Sequence, residues 1–497
     1  MEQRLLLAID QGTTGTTALV MDTRGVTVGR FTKEFAQHFP APGLVEHEPD
    51  EIGESVHTAV QGALAAAGIG GDRIAAIGIT NQRETTVVWD RTTGKPVHRA
   101  IVWQDRRTSE TCAKLKADGH EWRVRQATGL VLDPYFSGTK AAWILDNVEG
   151  ARARAEKGEL AFGTIDSFLV DRLSGSARVH VTDVTNASRT LLMNLTTLDW
   201  DPEMLALFRV PRQVLPKIVG SAEIVARTSG FGPLPDGVPI AGIAGDQQAA
   251  LFGQACFNVG DVKCTYGTGA FVLANIGDKP IVSRFGLLTT VAWKVQGEVA
   301  FALEGSAFIA GAAVQWLRDG LGIIQKSADI EALAAQVSSS EGVTFVPALS
   351  GLGAPYWDPG ARGIIYGITR GTTSAHIARA TLEGIALEVE DLLQAMADDL
   401  GRPLGRLRVD GGAAANNLLM QYQSDVAKVT IERPAELEST ARGAAMLAGV
   451  GVGLFPSAAD AAQMSAAERT FRVRMNDADR DAHRARWTDA VRRARSA

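Results

Sequence analysis

The sequence predicts an α/β protein built from two similar halves. Segments typical of strands and helices alternate along the chain, and the alternation restarts near residue 255. Each half also carries a hairpin whose turn is made of glycine and threonine, at residues 10–17 and 265–269. At 497 residues the chain is too long for one hydrophobic core. We therefore predict two domains, residues 1–250 and 251–497, in contact across a cleft.

Composition and charge exclude several classes of protein. Hydrophobic residues make up 45% and charged residues 21%, as in ordinary globular proteins. A net charge of −6 argues against nucleic acid or an anionic membrane as partner. The apolar run Leu5–Ile9 is too short for a signal peptide, and no run approaches the about 18 apolar residues of a membrane span. Cys112, Cys256 and Cys264 lack metal-ligand spacing, so we expect reduced thiols in a cytoplasmic protein.

The first half alternates short apolar runs with amphipathic segments. Apolar runs bounded by turn residues predict strands at 5–9, 18–21, 74–79, 86–89 and 239–244. Amphipathic spacing predicts helices at 50–67, 109–117, 139–149 and 247–252. The first of these helices follows the start signal Glu48-Pro49-Asp50.

The second half repeats this pattern. Strands are predicted at 261–266, 270–275, 287–293, 299–304, 344–348 and 406–409. Helices are predicted at 306–318, 375–399, 416–428, 441–449 and 477–495. The helix at 441–449 is rich in small residues, which predicts tight packing against a sheet. The last helix is rich in Arg and Asp, which is typical of a solvated surface.

The two glycine-threonine turns are the most informative segments. They are Asp10-Gln11-Gly12-Thr13-Thr14-Gly15-Thr16-Thr17 and Thr265-Tyr266-Gly267-Thr268-Gly269. Glycine lets backbone N–H groups approach an anion closely, and threonine hydroxyls add donors. One such turn is most often only a turn. Two of them, one in each half, indicate that the halves grip one polyphosphate from both sides.

Two aspartates follow apolar strands at positions suited to phosphate chemistry. Asp10 could hold Mg²⁺ beside phosphate oxygens, or simply stabilise its own turn; the local sequence does not decide between them. Asp246 stands at the carboxyl end of a strand, where ligands gather in α/β sheets. It could accept the proton of an attacking hydroxyl, or cap the helix that follows, and both can hold together.

Four further segments carry candidate ligand-binding residues. Residues 410–417, Asp-Gly-Gly-Ala-Ala-Ala-Asn-Asn, join a strand to a helix and would let a flat ligand lie against the backbone. Polar clusters at 81–86, 101–107 and 133–140 combine aromatic rings with charged groups. Each cluster alone is typical of a surface loop. Three in one half favour a pocket for a small polyol.

Taken together, these segments resemble the FGGY carbohydrate kinase family over nearly the whole chain. The clusters at 81–86, 103–107 and 133–140 are similar to those of its glycerol kinase members. The resemblance implies a fold of two duplicated ribonuclease H-like domains of the actin and hexokinase type, with ATP in the cleft between them. It implies transfer of the ATP γ-phosphoryl group to glycerol, giving sn-glycerol 3-phosphate and ADP, with closure of the domains to exclude water.

The resemblance also implies roles for individual residues. Asp246 would be the general base, and Asp10 would organise Mg²⁺. Glycerol would be bound by Arg83, Glu84, Tyr135, Asp246 and Gln247, with Trp103 and Phe271 as walls. ATP would be held by Thr13, Thr14, Gly15, Thr17, Thr268, Gly311, Gln315, Gly412 and Asn416. Family members are often homodimers or homotetramers, so we expect one of these states.

The chain departs from the family at Thr17, where arginine is usual, and this puts nucleotide affinity in question. The matching loop at 231–238 lacks the arginine that binds fructose 1,6-bisphosphate in some members, and no histidine lies between His180 and His376 to carry an activating phosphate. Two alternatives remain. One is a kinase for another small sugar or polyol. The other is an actin-like conformational ATPase, which would have no reason to keep Arg83, Trp103 and Tyr135.

Overall fold

Two mixed β-sheets, one in each half of the chain, form the framework of the molecule. The structure is a computed structural model that describes residues 4–436 and 438–496. Within these ranges no helix combines the length and hydropathy needed to cross a bilayer. All three cysteines are buried free thiols.

The first half contains fourteen strands and nine α-helices in its described residues. The strands are β1 Leu5–Gln11, β2 Gly15–Asp22, β3 Thr27–Glu34, β4 Glu46–His47, β5 Ile74–Asn81, β6 Val87–Asp90, β7 Ala100–Ile101, β8 Leu160–Gly163, β9 Val181–Asp183, β10 Met193–Asn194, β11 Asp199–Trp200, β12 Lys217–Val219, β13 Ala226–Arg227 and β14 Pro239–Gly245. The helices are α1 Pro49–Ala67, α2 Ser109–Ala117, α3 Glu121–Thr128, α4 Ser137–Asn147, α5 Ala151–Glu156, α6 Ile165–Leu173, α7 Val184–Ala187, α8 Pro202–Phe208 and α9 Asp246–Gly253.

The second half follows the same order of a hairpin, further strands and packing helices. Its strands are β15 Val262–Tyr266, β16 Ala270–Gly277, β17 Leu288–Val295, β18 Glu298–Ala307, β19 Thr344–Val346, β20 Ile364–Tyr366, β21 Arg406–Asp410, β22 Thr430–Pro434 and β23 Ala467–Phe471. Its helices are α10 Gly311–Asp319, α11 Asp329–Ala334, α12 Ser374–Leu400, α13 Asn417–Ala427, α14 Ser439–Gly451, α15 Ala458–Ala461 and α16 Asp477–Ala494.

The two main sheets share one topology around their first hairpin. In the first sheet β1 pairs antiparallel with β2 and parallel with β5, which pairs parallel with β14. In the second sheet β15 pairs antiparallel with β16 and parallel with β21, which pairs parallel with β22. In both halves the glycine-threonine turn therefore stands at the carboxyl end of the central strand. This repetition confirms the predicted duplicated α/β fold.

Helix α14 belongs to the second half but packs on the first sheet. It lies against β1, β5, β14 and α9. Its small residues allow backbones to meet, since a Cβ added to Gly443 would lie 1.8 Å from the Ala249 carbonyl oxygen and one on Gly78 2.0 Å from that of Ala444. The predicted tight packing of this helix on a sheet is confirmed. The domain boundary at residue 250 stays a prediction, because this helix of the second half packs on the first sheet.

One predicted helix was wrong at its start, and several short strands and helices were not predicted, strand β3 among them. Residues 306–307 extend β18, where Ala307 pairs with Ala270, and the helix begins only at Gly311. Strand β3 was not predicted, because most of its residues are exposed and it lacks an alternating apolar face. Tertiary pairing decided both cases, and local sequence does not reveal such pairing.

Candidate active site

The first glycine-threonine turn is held by side chains from two other loops. Gln37 Nε2 donates a hydrogen bond to the Thr13 carbonyl oxygen at 2.9 Å. Trp103 Nε1 donates to Thr13 Oγ1 at 3.0 Å. Gly15 closes the turn by accepting a backbone N–H at 2.9 Å, and Thr14 is exposed at its tip. Thr13 is thus fixed while the tip remains open to a ligand.

Asp10 and Thr17 face each other in adjacent strands below this turn. The Thr17 hydroxyl lies 2.9 Å from that of Thr32 on β3, so it is engaged across the sheet. Burial raises the pKa of Asp10 to about 8, with further contributions from the charges of Asp246 and Glu438. A carboxyl group in such surroundings is more stable as the anion when a cation binds beside it.

The second glycine-threonine turn is tied to the start of α10. The Gly267 carbonyl accepts from Gly311 N at 2.9 Å, and the Thr268 carbonyl accepts from Ala310 N at 2.8 Å. Helix α10 therefore begins against the turn, and its N-terminus presents Gly311 beside the exposed Thr268. Gln315 lies one turn further along the same helix and is exposed. The predicted nucleotide residues of these two segments are neighbours.

The segment between β21 and α13 approaches the end of β15. A Cβ on Gly411 would lie 2.6 Å from the Tyr266 carbonyl oxygen, so only glycine allows this approach. Gly411 also has a positive φ of 84°. The next residue, Gly412, is exposed, and Asn416 caps α13 by accepting from Leu419 N at 2.9 Å. The predicted strand-to-helix turn is present, with Gly411 against the second glycine-threonine turn.

Arg83, Tyr135, Trp103 and Asp246 form one polar and aromatic cluster. Arg83 Nε lies 3.1 Å from Asp246 Oδ1, and Arg83 Nη2 donates to the Tyr135 hydroxyl at 3.4 Å. The Trp103 and Tyr135 rings meet edge to face with centroids 5.6 Å apart. A cation, a carboxylate, a phenol and a ring wall therefore converge, which suits a ligand with hydroxyl groups on a short carbon chain.

Glu84 enters this cluster through a strained backbone. Its φ is +61°, a left-handed conformation that costs about 1 kcal/mol for a residue with a side chain. Ser137 Oγ and Thr86 Oγ1 hold its carbonyl oxygen at 2.9 and 3.0 Å. Its carboxylate accepts from Arg189 Nε at 2.7 Å. The strain turns the Glu84 side chain inward beside Arg83.

Lys263 joins the predicted residues Gln247 and Phe271 across the cleft. Its ammonium donates to Gln247 Oε1, to Thr265 Oγ1 at 3.0 Å and to the Phe271 carbonyl at 3.3 Å. The side chain is fully buried, and burial lowers its pKa, with the charge of Asp410 acting in the opposite direction. Lys263 thereby connects the second glycine-threonine turn to Gln247, the residue next to Asp246.

The two halves of the chain match two models of one family. Residues 5–253 match the N-terminal domain of the FGGY family of carbohydrate kinases, and residues 262–452 match its C-terminal domain. The chain belongs to the FGGY family of carbohydrate kinases. This confirms the family and the fold that the sequence motifs indicated.

Curated FGGY relatives match the chain from end to end. A glycerol kinase of Myxococcus xanthus is 58% identical over 99% of both chains. A glycerol kinase of Deinococcus radiodurans is 56% identical over 99% of this chain and 98% of its own length. The crystal structure of Plasmodium falciparum glycerol kinase with ADP superposes with a TM-score of 0.94 at 36% identity, covering 99% of this chain and 98% of that one. A gluconate kinase from Lactobacillus acidophilus, at 22% identity and a TM-score of 0.87, shows the shared fold alone.

Sequence reasoning missed two charged residues of this FGGY site, Glu304 and Arg189. Glu304 on β18 accepts from Arg83 Nη1 at 2.5 Å and from Arg189 Nη2 at 2.9 Å. Burial would raise the pKa of Glu304, but the two guanidinium groups outweigh it and lower the pKa to about 2. The available signal was a lone carboxylate in the apolar strand 299–305. Arg189 lies within 182–190, a stretch to which no role had been given.

The remaining predicted residues are placed without close ties to the cluster. Among the described residues, no side-chain hydrogen bond joins Thr14 or Gln315 to the rest of the site. The described part of the chain also contains no group of three or more His, Cys, Asp or Glu side chains that could hold a metal ion. A metal would therefore need oxygen atoms from a ligand or from water in addition to a protein carboxylate.

Proposed function

We propose that the chain transfers the γ-phosphoryl group of ATP to glycerol, giving sn-glycerol 3-phosphate and ADP. The observation that carries this proposal is the cluster in which Arg83 meets both Asp246 and Tyr135 beside the Trp103 ring. Full-length identity of 58% to a curated glycerol kinase supports it. The chemistry also fits, because a three-carbon polyol offers hydroxyls to the polar groups and C–H edges to the ring.

In this proposal the acceptor hydroxyls bind to Arg83, Glu84, Tyr135 and Asp246. Arg83 donates, the carboxylates accept, and the Tyr135 hydroxyl does either. Trp103 and Phe271 cover the carbon edge. Burial raises the pKa of Tyr135, so its hydroxyl keeps its proton and remains a donor across the working pH range.

Asp246 is the proposed general base. It is the first residue of α9 and its Oδ1 accepts from Gln247 N at 2.7 Å. That leaves Oδ2 to take the proton of the attacking hydroxyl as the bond to phosphorus forms. Gln247, held by Lys263, lies beside it. The base and the acceptor hydroxyl are fixed in place before transfer, which is how phosphoryl transfer gains most of its rate.

The two glycine-threonine turns bind the phosphates in this proposal. Thr13, Thr14 and Gly15 offer N–H and hydroxyl donors from the first half, and Thr268 offers them from the second. Gly311, Gln315, Gly412 and Asn416 hold the rest of the nucleotide. The N-terminus of α10, which begins at Gly311 beside Thr268, adds a favourable dipole toward the negative phosphates.

Mg²⁺ fits the Asp10 carboxylate. Burial and the charges of Asp246 and Glu438 hold the pKa of Asp10 at about 8, and a cation at that carboxylate would relieve this charge crowding. Asp10 would bind the ion directly or through water, with phosphate oxygens completing its shell. When bound, Mg²⁺ neutralises charge on the phosphate oxygens during transfer.

We also propose a location and an assembly state. Three free thiols and the use of ATP favour a reducing cytoplasmic setting. A homodimer or homotetramer rests on the family resemblance alone. Size-exclusion chromatography with light scattering tests it directly, and a monomer across the micromolar range would overturn it.

The test of the function is ADP release from Mg-ATP with glycerol, dihydroxyacetone, xylulose, gluconate or no acceptor. Strong stimulation by glycerol alone supports the proposal. Stimulation by a sugar would keep the mechanism and overturn the substrate. Slow release that is indifferent to every acceptor would indicate a conformational ATPase instead.

A paired variant test assigns the acceptor site. Arg83→Ala should raise KM for glycerol far more than KM for ATP, since its contacts are with Asp246 and Tyr135. Arg209→Ala, an exposed arginine with 68% of its side chain accessible, is the control and should leave both constants unchanged. Equal losses for both substrates in Arg83→Ala would contradict a hydroxyl-binding role.

A further inference from the structure

Glu304 is a buried carboxylate of the second half whose partners lie in the first half. It stands on β18 opposite Leu273 and Leu288, among apolar neighbours. Only 4% of its side chain is accessible. An isolated carboxylate in such a place would be strongly disfavoured, so its partners decide whether it can be ionised there.

Those partners are two buried arginines. Arg83 gives Glu304 both terminal nitrogens, Nη1 to Oε2 at 2.5 Å and Nη2 to Oε1 at 3.1 Å. Arg189 adds Nη2 to Oε1 at 2.9 Å and bonds Glu84 through Nε at 2.7 Å. Two guanidinium and two carboxylate groups thus form a neutral buried network, which we call the Arg–Glu quartet.

The quartet fixes the direction in which Arg83 points. Its two terminal nitrogens face Glu304, so Nε is the nitrogen left facing Asp246, at 3.1 Å. The bidentate contact sets the plane of the guanidinium as well as its position. Arg83 Nη1 also lies 3.3 Å from Gln248 Oε1, which limits rotation further.

Removing the charge of Glu304 would leave two like charges sharing one partner. The charge of Arg83 already opposes that of Arg189, since it acts to lower the pKa of the latter. With only Glu84 between them, the terminal nitrogens of Arg83 would turn to Asp246, which Nε already approaches at 3.1 Å. A bidentate ion pair would then occupy both the arginine and the proposed base.

We propose that Glu304 is a positioning residue for the acceptor site: it holds the terminal nitrogens of Arg83 in the orientation that binds a hydroxyl and keeps them from a bidentate ion pair with Asp246. Because Glu304 belongs to the second half, the pocket of the first half is complete only when the second sheet is in place against it. The proposal rests on the kinase function proposed above.

The test is Glu304→Gln, which keeps the shape and removes the charge. We expect KM for the acceptor to rise about 30-fold, since a charged partner of a buried arginine is lost. KM for ATP should change by less than about threefold, because Glu304 contacts only acceptor-side residues. Glu304→Asp, which keeps the charge on a shorter side chain, should recover part of the loss.

Glu388→Gln is the matched control. Glu388 is also a buried glutamate of the second half, on α12, and burial raises its pKa well above the usual range. The amide keeps the size of this side chain, and both KM values should stay at the wild-type level. An equal rise of both KM values in Glu304→Gln, or a loss of kcat alone, would indicate general damage and overturn the proposal.

A second measurement separates this proposal from the kinase proposal. If the wild type prefers an acceptor other than glycerol, Glu304→Gln should raise KM for that acceptor and leave KM for ATP nearly unchanged. If no acceptor stimulates the wild type, a crystal structure of Glu304→Gln decides. Rotation of the Arg83 guanidinium that brings a terminal nitrogen to Asp246 supports the positioning role, and an unmoved guanidinium overturns it.

Discussion

Asp246 shows how one residue serves the fold and the proposed chemistry together. It follows the last strand of the first sheet and begins α9, so its position is set by the rigid framework. Its carboxylate meets the Gln247 backbone and Arg83 Nε. The helix cap itself is Gly245, so Asp246 occupies the first helical position, where its Oδ1 accepts from a first-turn N–H.

Asp246→Asn should therefore lower kcat with little change in ATP binding. The amide keeps the size and the contact with the helix start but cannot accept the proton. We expect a fall in kcat of about 1,000-fold, within the range for a lost general base. Steady-state kinetics and calorimetric titration with ATP measure the two effects. Retention of kcat within fivefold of wild type would exclude Asp246 as the base.

The hydrogen bond from Trp103 to Thr13 links the proposed acceptor wall to the first glycine-threonine turn, the proposed phosphate site. The donor, Trp103 Nε1, belongs to the proposed glycerol pocket, and the acceptor, Thr13 Oγ1, belongs to the proposed ATP site; the two atoms are 3.0 Å apart. Trp103→Phe keeps the aromatic ring but removes the N–H donor. We expect KM for ATP to rise about fivefold, the value of one neutral hydrogen bond.

The double variant Trp103→Phe with Thr13→Val identifies the source of that effect. If the hydrogen bond is responsible, the two substitutions together should cost no more than either one alone. Additive effects in the double-mutant cycle would mean that the ring and the hydroxyl act independently, and would contradict the proposed link.

Sequence reasoning found residues that stand out within their own segment, and it missed residues whose partners lie far away along the chain. Arg83, Trp103, Tyr135 and Asp246 lie in short segments of unusual composition, so each could be singled out locally. Glu304 becomes informative only through Arg83, which lies 221 positions away. No local pattern reports an ion pair between two halves of a chain.

At the scale of elements, the crossing of α9 and α14 joins the two halves. Gly443 of α14 faces Ala249 of α9 so closely that backbone atoms meet. The sequence predicted the small-residue helix and its tight packing. It did not indicate which sheet the helix would cover, because small residues permit close approach to any partner.

Gly443→Ala should destabilise the protein strongly, although alanine favours helices. The added Cβ would lie 1.8 Å from a backbone oxygen, which cannot rotate away. The helices must separate, and we expect a loss of about 3 kcal/mol, measured by urea denaturation. Gly53→Ala in α1 is the control: its Cβ meets nothing within 4 Å, and helix propensity should add about 1 kcal/mol of stability. Equal stability of both variants would contradict the close-packed crossing.

At the scale of the whole molecule, the duplication was the most predictable feature. Two hairpins with glycine-threonine turns are visible in sequence, and each builds the same arrangement of antiparallel and parallel pairs. The sequence did not show that β18 continues beyond its predicted end, and it did not show the exposed edge strand β3. Both depend on which strand lies alongside, a property of the folded sheet.

The whole molecule should lose stability in acid because of two histidines buried in neutral form. Burial lowers the pKa of His47 to about 4, and burial together with Arg91 lowers that of His180 to about 4. His180 Nε2 donates to the Phe162 carbonyl at 2.8 Å, and its Nδ1 accepts from Arg91 Nη1 at 3.0 Å, a contact that protonation would destroy.

The direction of the change in stability with pH follows from the unfolded chain, in which a histidine has a pKa of about 6.5. Above that pH neither state binds the proton, and stability is complete. As pH falls, only the unfolded state is protonated, so stability is lost progressively until about pH 4, where the folded state also binds the proton. At pH 5 each histidine should cost about 2 kcal/mol.

Urea denaturation at pH 7.5 and 5 measures this loss as the difference in unfolding free energy. His47→Gln should reduce the difference, because the titrating imidazole is gone while the amide can still bond Gln37, which holds the first glycine-threonine turn. Exposed His57→Gln should leave the difference unchanged. An equal loss of stability in His47→Gln and wild type would contradict a contribution of His47 to the acid sensitivity and would leave His180 and other groups as its source.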